Sequence, residues 1–185
     1  MNGKIKMELE NGKEVELALN FASLYKIRGL KKDVYDRYNK VIMKGTEDTF
    51  DTVTVLYTAY LCANVDNLDE CMGEMEFMEN LPYNPPELAR KCNELISAKK
   101  KEGFRSAFIS HTKGKKKNKI RIPKFELEDI EDYYTYYVLI LEISEDLFWN
   151  ADFSFLKTVA LNKSAYDSWK NYAISEECDR AYGKN

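Results

Sequence analysis

Hydrophobic and polar residues alternate at the start of the chain and then settle into helical spacing that persists almost to its end. Ile5, Met7 and Leu9 alternate with charged residues, Asn11-Gly12 follows, and Val15, Leu17 and Leu19 alternate again. Asn-Gly between two alternating runs predicts a β-hairpin over residues 4–19, because both residues tolerate the positive φ of a type I′ turn. A lone hairpin is marginal in water, so its apolar face requires helices to cover it. Asn20 is placed to cap a helix running to Leu30, with Gly29 near its end. A second helix opens at Asp33, carries Val34, Tyr38, Val41 and Ile42 on one face, and stops at Gly45. The third starts at Thr46 or Asp48 and is apolar nearly all round, through Val53, Val55, Leu56, Tyr57, Ala59, Tyr60, Leu61 and Ala63. A helix without a polar face is buried on several sides, so this one is expected at the centre of the N-terminal half. Met72, Met75, Phe77, Met78 and Leu81 predict a short amphipathic helix closed by Pro82, its methionines acting as core filler. Glu87–Ala98 is predicted as the last helix of this half, with Leu88, Cys92, Leu95 and Ile96 inward.

Beyond Pro123 the helical period returns. Ile130, Tyr133, Tyr134, Tyr137, Val138 and Leu141 form one stripe, widened by Tyr136, Ile140 and Ile143. Ser144-Glu145-Asp146 is a helix-start signature leading into Leu147, Phe148 and Trp149. Asp152 is placed to cap a further helix with Phe155, Leu156, Val159 and Ala160 inward, and Tyr166, Trp169, Tyr172 and Ala173 continue that face to Arg180. No strand pattern occurs in this half. The expected fold class is mainly α: an N-terminal β-hairpin packed on a small helical domain, then a linker and a small all-helical C-terminal domain.

Charge supplies the boundaries. Residues 99–124 hold 11 of the 28 Lys and Arg residues and a single acid, Glu102, whereas 1–98 carry 12 basic and 17 acidic residues and 125–185 carry 5 and 13. Like charges this close repel and extend the chain. Residues 99–122 are therefore expected to be a basic flexible linker, carrying Lys99, Lys100, Lys101, Arg105, Lys113, Lys115, Lys116, Lys117, Lys119 and Arg121, between domains 1–98 and 123–185. Hydrophobic content of 44 % supplies a core and excludes a disordered chain, although each half is short enough for burial to be marginal. A pI near 5.4 argues against general nucleic-acid binding, while the linker alone would attract phosphate. The run Val53–Val65 is too short to span a bilayer and contains Thr54 and Thr58. The first ten residues have no apolar signal region. A cytoplasmic protein with Cys62, Cys71, Cys92 and Cys178 reduced is expected.

Candidate chemistry is sparse. His111 is the only histidine and lies in the linker, so neither a Ser-His-Asp triad nor a His-rich metal site can be assembled. No cysteine pair has CxxC spacing. The acidic stretch from Asp66 fails as a calcium loop, because Leu68 stands at the third position and Cys71 at the sixth, where glycine is required. Gly114-Lys115 lacks the upstream glycine of a phosphate loop; Ile109 is there. Acid pairs such as Glu74/Glu76 and Glu145/Asp146 read as solvated helix residues that complement the helix dipole. No catalytic, cofactor-binding or metal-binding residue is assigned, and the expectation is a protein that is not an enzyme and uses no cofactor. Aromatic side chains anchor interfaces well. Phe148, Trp149, Phe153, Trp169 and Tyr172 are the candidate partner-binding residues, with core packing as the competing fate.

Several segments carry a resemblance. NGKEVELALNFASLYKIRG, LYTAYLCANVDN, MEFMENLP and NELIS resemble the tail assembly chaperones of long-tailed bacteriophages, and LEISEDLFWNADFSFLKTVALNK with AYDSWKNY resembles the C-terminal extension on the long form of those chaperones. The resemblance implies that the N-terminal part binds the tape-measure protein, a long apolar-rich helical ruler. It implies that the extension recruits the major tail-tube protein, and that the chaperone leaves as the tube polymerises. It therefore implies action in the host cytoplasm and absence from the mature virion. In such families the long form typically arises by programmed ribosomal frameshifting, which the lysine runs 99–101 and 115–117 would suit if encoded by runs of A; a gene fusion would read identically. A tether between two binding modules would raise the effective concentration of one partner near the other. Two alternatives stay open: a structural tail component such as a connector or terminator, and a nucleic-acid-binding adaptor with the linker cations on phosphates and Phe104, Phe108 and His111 stacking on bases. Self-association is left open as well.

Overall fold

The strands and helices of the computed structural model, which describes residues 4–97 and 127–183, make a mainly helical protein with a small two-stranded antiparallel sheet at its N-terminus. The basic stretch 99–122 and all its named lysines and arginines lie outside the described residues. Strand β1 (Ile5–Glu8) pairs with β2 (Glu14–Leu17), Ile5 opposite Leu17 and Met7 opposite Val15. Alternation puts Met7, Val15 and Leu17 into the core and leaves Lys6–Glu14 and Lys4–Glu16 as exposed cross-strand ion pairs.

The turn differs from the type I′ expectation. Gly12 N–H donates to Leu9 C=O, Leu9 N–H donates to Lys13 C=O, and only Gly12 takes positive φ, at 79°. This is a three-residue loop with glycine in the left-handed position. Asn11 contributes through its side chain instead, accepting the Lys13 N–H at 3.0 Å.

Helix α1 (Phe21–Leu30) starts where expected, its cap Asn20 accepting the Ser23 N–H at 2.8 Å. Helix α2 (Lys32–Lys44) begins one residue before Asp33 and ends at Gly45, φ 93°. Helix α3 (Thr49–Ala63) is capped by Asp48 and buried along nearly its whole length, as its composition required. Its hydroxyls do not go unsatisfied: fully buried Thr58 donates to Thr54 C=O at 2.8 Å, and Thr52 to Asp48 C=O at 3.1 Å. In α4 (Glu74–Glu79) Phe77 is buried, but Met75 faces solvent, so the methionines only partly fill the core. Helix α5 (Pro85–Ile96) opens two residues before Glu87, with Asn84 capping and proline in the first turn.

The second half continues with α6 (Ile130–Tyr134), opened by a reciprocal capping box between Asp129 and Asp132. A single α-helical stripe was expected through Ile143. The backbone instead widens into a π-helix over Thr135–Ile140, closed by a bond from Leu141 N–H to Tyr136 C=O at 2.9 Å. Helices α7 (Glu145–Asn150) and α8 (Phe153–Ala181) follow.

Ile130, Tyr137, Leu141, Phe148, Phe153, Leu156 and Ala160 belong to the same apolar core as α1, α2, α3 and α5. Polar links accompany this packing. Phe153 N–H donates to Leu19 C=O at 3.0 Å, Lys157 donates to Ile96 C=O at 3.0 Å, the side-chain amide of Asn39 donates to Glu128 C=O, and Arg28 grips both oxygens of Glu131. The inward face expected for α8 stops early. Phe155 is exposed, and so are Tyr166, Trp169 and Tyr172; beyond Ala160 no residue of the helix is buried, although Lys163 reaches Glu142 at 3.8 Å. No helix among the described residues is long and apolar enough to cross a membrane.

Candidate functional site

Two surfaces gather the residues with interaction chemistry, and both grow from one aromatic cluster. Phe21 and Tyr25 lie four apart on α1 and share a helical face. Phe21 is buried and stacks on Phe148, ring centroids 4.4 Å apart and planes 13° apart, with Tyr133 at 5.2 Å and Phe153 at 5.4 Å. Tyr25, one turn on, is 55 % exposed and meets the edge of Trp149 at 5.9 Å. Of the five candidate partner-binding residues, Phe148 and Phe153 are therefore core residues and present no surface to a partner. Trp149 is half-buried, while Trp169 and Tyr172 are exposed.

The first surface is a cleft of about 640 Å³ between α1, α6 and α7. Its lining comprises the rings of Tyr25, Tyr134 and Trp149, the aliphatic Ala22 and Ile130, and the polar Lys26, Glu131 and Thr135. The two charged lining residues are paired: Lys26 donates to Asp66 at 2.9 Å, and the Arg28 guanidinium holds the Glu131 carboxyl below its ordinary range. Trp149 Nε1–H donates to Glu145, one turn earlier on α7, at 3.3 Å. Burial and the same Glu145 carboxylate, hydrogen-bonded to the Tyr134 hydroxyl, raise the Tyr134 pKa.

The second surface is the part of α8 beyond Ala160. It contains no buried residue, and Leu161, Tyr166, Trp169, Tyr172 and Ile174 are all exposed. Phe155, Val159, Tyr166, Trp169 and Ala173 fall at spacings of four, seven, three and four, which aligns them along one side of the helix. Tyr166 and Trp169 touch, centroids 5.9 Å apart, and the Tyr172 hydroxyl donates to Glu176 at 2.6 Å. From Ala160 to Ala181 the helix rises roughly 30 Å.

Reactive groups are few. Burial raises the Cys62 thiol far above its usual range and the Cys92 thiol to about 11, which makes both poor nucleophiles. All four cysteines are free, and among the described residues no group of three His, Cys, Asp or Glu is placed to hold a metal ion. Burial lowers the pKa of Lys157, whose ammonium lies 5.0 Å from the Phe153 ring centroid and caps the last turn of α5.

Tyr25 and Tyr134 went unnamed as site residues in the sequence reading. The signal for Tyr25 was its i, i+4 relation to Phe21; Tyr134 was lost in an aromatic run where spacing alone does not separate core from rim. No family model, curated protein or solved structure matches this chain.

Proposed function

We propose that this protein is a phage tail assembly chaperone that is not an enzyme, acting in the host cytoplasm and leaving before the virion matures. The body would bind the apolar helical tape-measure protein, and the arm formed by α8 would recruit the major tail-tube protein. The observation that carries the reading, beside the sequence resemblance, is the exposed aromatic arm. A monomer gains little from holding Tyr166, Trp169 and Tyr172 in water on the stretch of α8 that has no buried residue, whereas an assembly factor gains a ready-made anchor. Helix-in-groove recognition suits the stripe on which Tyr166, Trp169 and Ala173 fall at i, i+3 and i+7, with Tyr172 beside it.

The test is co-expression of the full chain with the tape-measure and tail-tube proteins encoded nearby. Trp169→Ala with Tyr172→Ala should leave the body folded, since neither side chain is buried. The double variant is expected to keep the tape measure soluble and to lose capture of tube subunits. Failure of the unaltered protein to bind either one overturns the reading.

A further inference from the structure

The arm of α8 beyond Ala160 carries a charge pattern beside its aromatic one. Tyr166, Trp169, Ala173 and Arg180 follow one another at spacings of three, four and seven, so they share one side of the helix. Ala173 stands in the middle of that row, and its small side chain lets a second backbone come close. Lys170 and Glu177 lie seven apart along one flank of the row. Both are exposed, and neither has an ion-pair or hydrogen-bond partner among the described residues. Glu176 and Arg180, by contrast, pair with each other at 3.5 Å. A flank whose free cation precedes Ala173 and whose free anion follows it is complementary to itself when a copy runs in the opposite direction.

We propose that the arm pairs with the arm of a second copy of this chain, antiparallel, about a two-fold axis at Ala173. A two-fold axis perpendicular to both helices keeps each flank on its own side, so Lys170 of each copy meets Glu177 of the other, twice by symmetry. Tyr166 then lies level with Arg180, and Trp169 level with Glu177. A parallel pair would set Glu176 against Glu176 and Arg180 against Arg180, and like charges oppose it. The length of the arm fits as well. Ala173 lies about 20 Å beyond Ala160, the last buried residue, and about 12 Å before Ala181, where the helix ends. The helix of the second copy therefore ends level with Ala165, short of Lys163, where Glu142 of the body reaches the arm at 3.8 Å. The contact spans about four turns and buries about 1,000 Å² in total, at the weak end of specific interfaces, so a stronger partner can displace it. The proposal needs no other protein: failure to capture tail proteins leaves it standing, and its own failure leaves the chaperone reading standing.

The experiment is sedimentation equilibrium of the full chain under reducing conditions, from about 5 to about 500 μM, the range in which an interface of this size assembles. The weight-average mass is expected to rise from 21.6 kDa toward twice that value. Trp169→Ala, at an exposed position, should weaken the pairing about tenfold. Lys170→Glu places glutamate against glutamate at both symmetric contacts, and Glu177→Lys places lysine against lysine. Each should weaken self-association about tenfold. An equimolar mixture of these two variants restores an opposite charge at every contact, so it should regain the affinity of the unaltered chain as a heterodimer. A monomer across the whole range, a dimer indifferent to Trp169→Ala, or a mixture that associates no more tightly than either charge variant alone overturns the proposal.

Discussion

Phe148→Ala tests whether residues 127–160 and 4–97 are energetically one unit. Phe148 is fully buried, stacked on Phe21 at 4.4 Å and edge-on to Tyr134 at 5.4 Å and Trp149 at 4.8 Å. Truncating a buried phenylalanine costs about 3–5 kcal/mol, and the lost aromatic geometry falls within that range. About 4 kcal/mol is a large share of the stability of an ordinary domain. With a urea dependence of about 2 kcal/mol per molar, the unfolding midpoint should fall by about 2 M. The decisive readout is amide exchange in α3, which belongs wholly to the first half. If the core is cooperative, the slowest α3 amides should exchange about 10³-fold faster in the variant. Unchanged α3 protection beside melted α7 and α8 would refute the single-core reasoning and leave two independent units.

Tyr38 lies 3 % exposed at the foot of α6 with no hydrogen-bond partner for its hydroxyl among the described residues, so Tyr38→Phe is expected to stabilise the protein by about 1 kcal/mol; urea titration showing a loss instead would mean that the hydroxyl is satisfied in solution. Burial pushes Tyr35 and Tyr57 up to about 12, above the unfolded value near 10. The folded state holds these protons while the unfolded chain releases them, so their contribution is complete below pH 10 and is lost between pH 10 and 12, about 2–3 kcal/mol for each group; a flat stability profile across that window in pH-dependent denaturation would contradict the burial. Gly45→Ala meets no steric neighbour but forces a β-carbon onto φ 93°, ψ 156°, and a loss of about 1–3 kcal/mol in thermal unfolding is expected from backbone strain alone.

The parts of the fold that were legible in the sequence have local causes. Asn20, Asp48 and Ser144 cap helices through a side-chain oxygen that reaches an amide three residues on, and that geometry is written in the immediate sequence. The burial of α3 was legible because no face of it is polar. What escaped depends on elements far apart in the chain. Phe148 and Trp169 are both aromatic residues at helical spacing, and only the approach of α1 decides that one is core and the other surface. The π-helix escaped for a related reason. Thr135–Ile140 has nothing helix-breaking in it, and its widened turn lies where the chain must seat Tyr133 and Tyr137 on Phe21 and keep Tyr134 against Phe148.

The arm raises an energetic question that its sequence helps to answer. Beyond Ala160 no residue is buried and tertiary support is slight, chiefly the surface Lys163–Glu142 pair at 3.8 Å, and short isolated helices are marginal in water. Residues beyond Ala160 are held helical by continuity with the buried turns Phe153–Ala160 and by local pairs such as Tyr172–Glu176 and Glu176–Arg180. Those pairs contribute only tenths of a kcal/mol each. The nucleus of α8 is thus in the body, and its stability must decline toward Ala181. A segment anchored at one end and marginal at the other can adjust its curvature and register to a partner at low cost, yet it loses less entropy on binding than an unstructured tail would. Placing Tyr166 and Trp169 midway along it, rather than at the frayed end, keeps the largest anchors on the better-ordered turns.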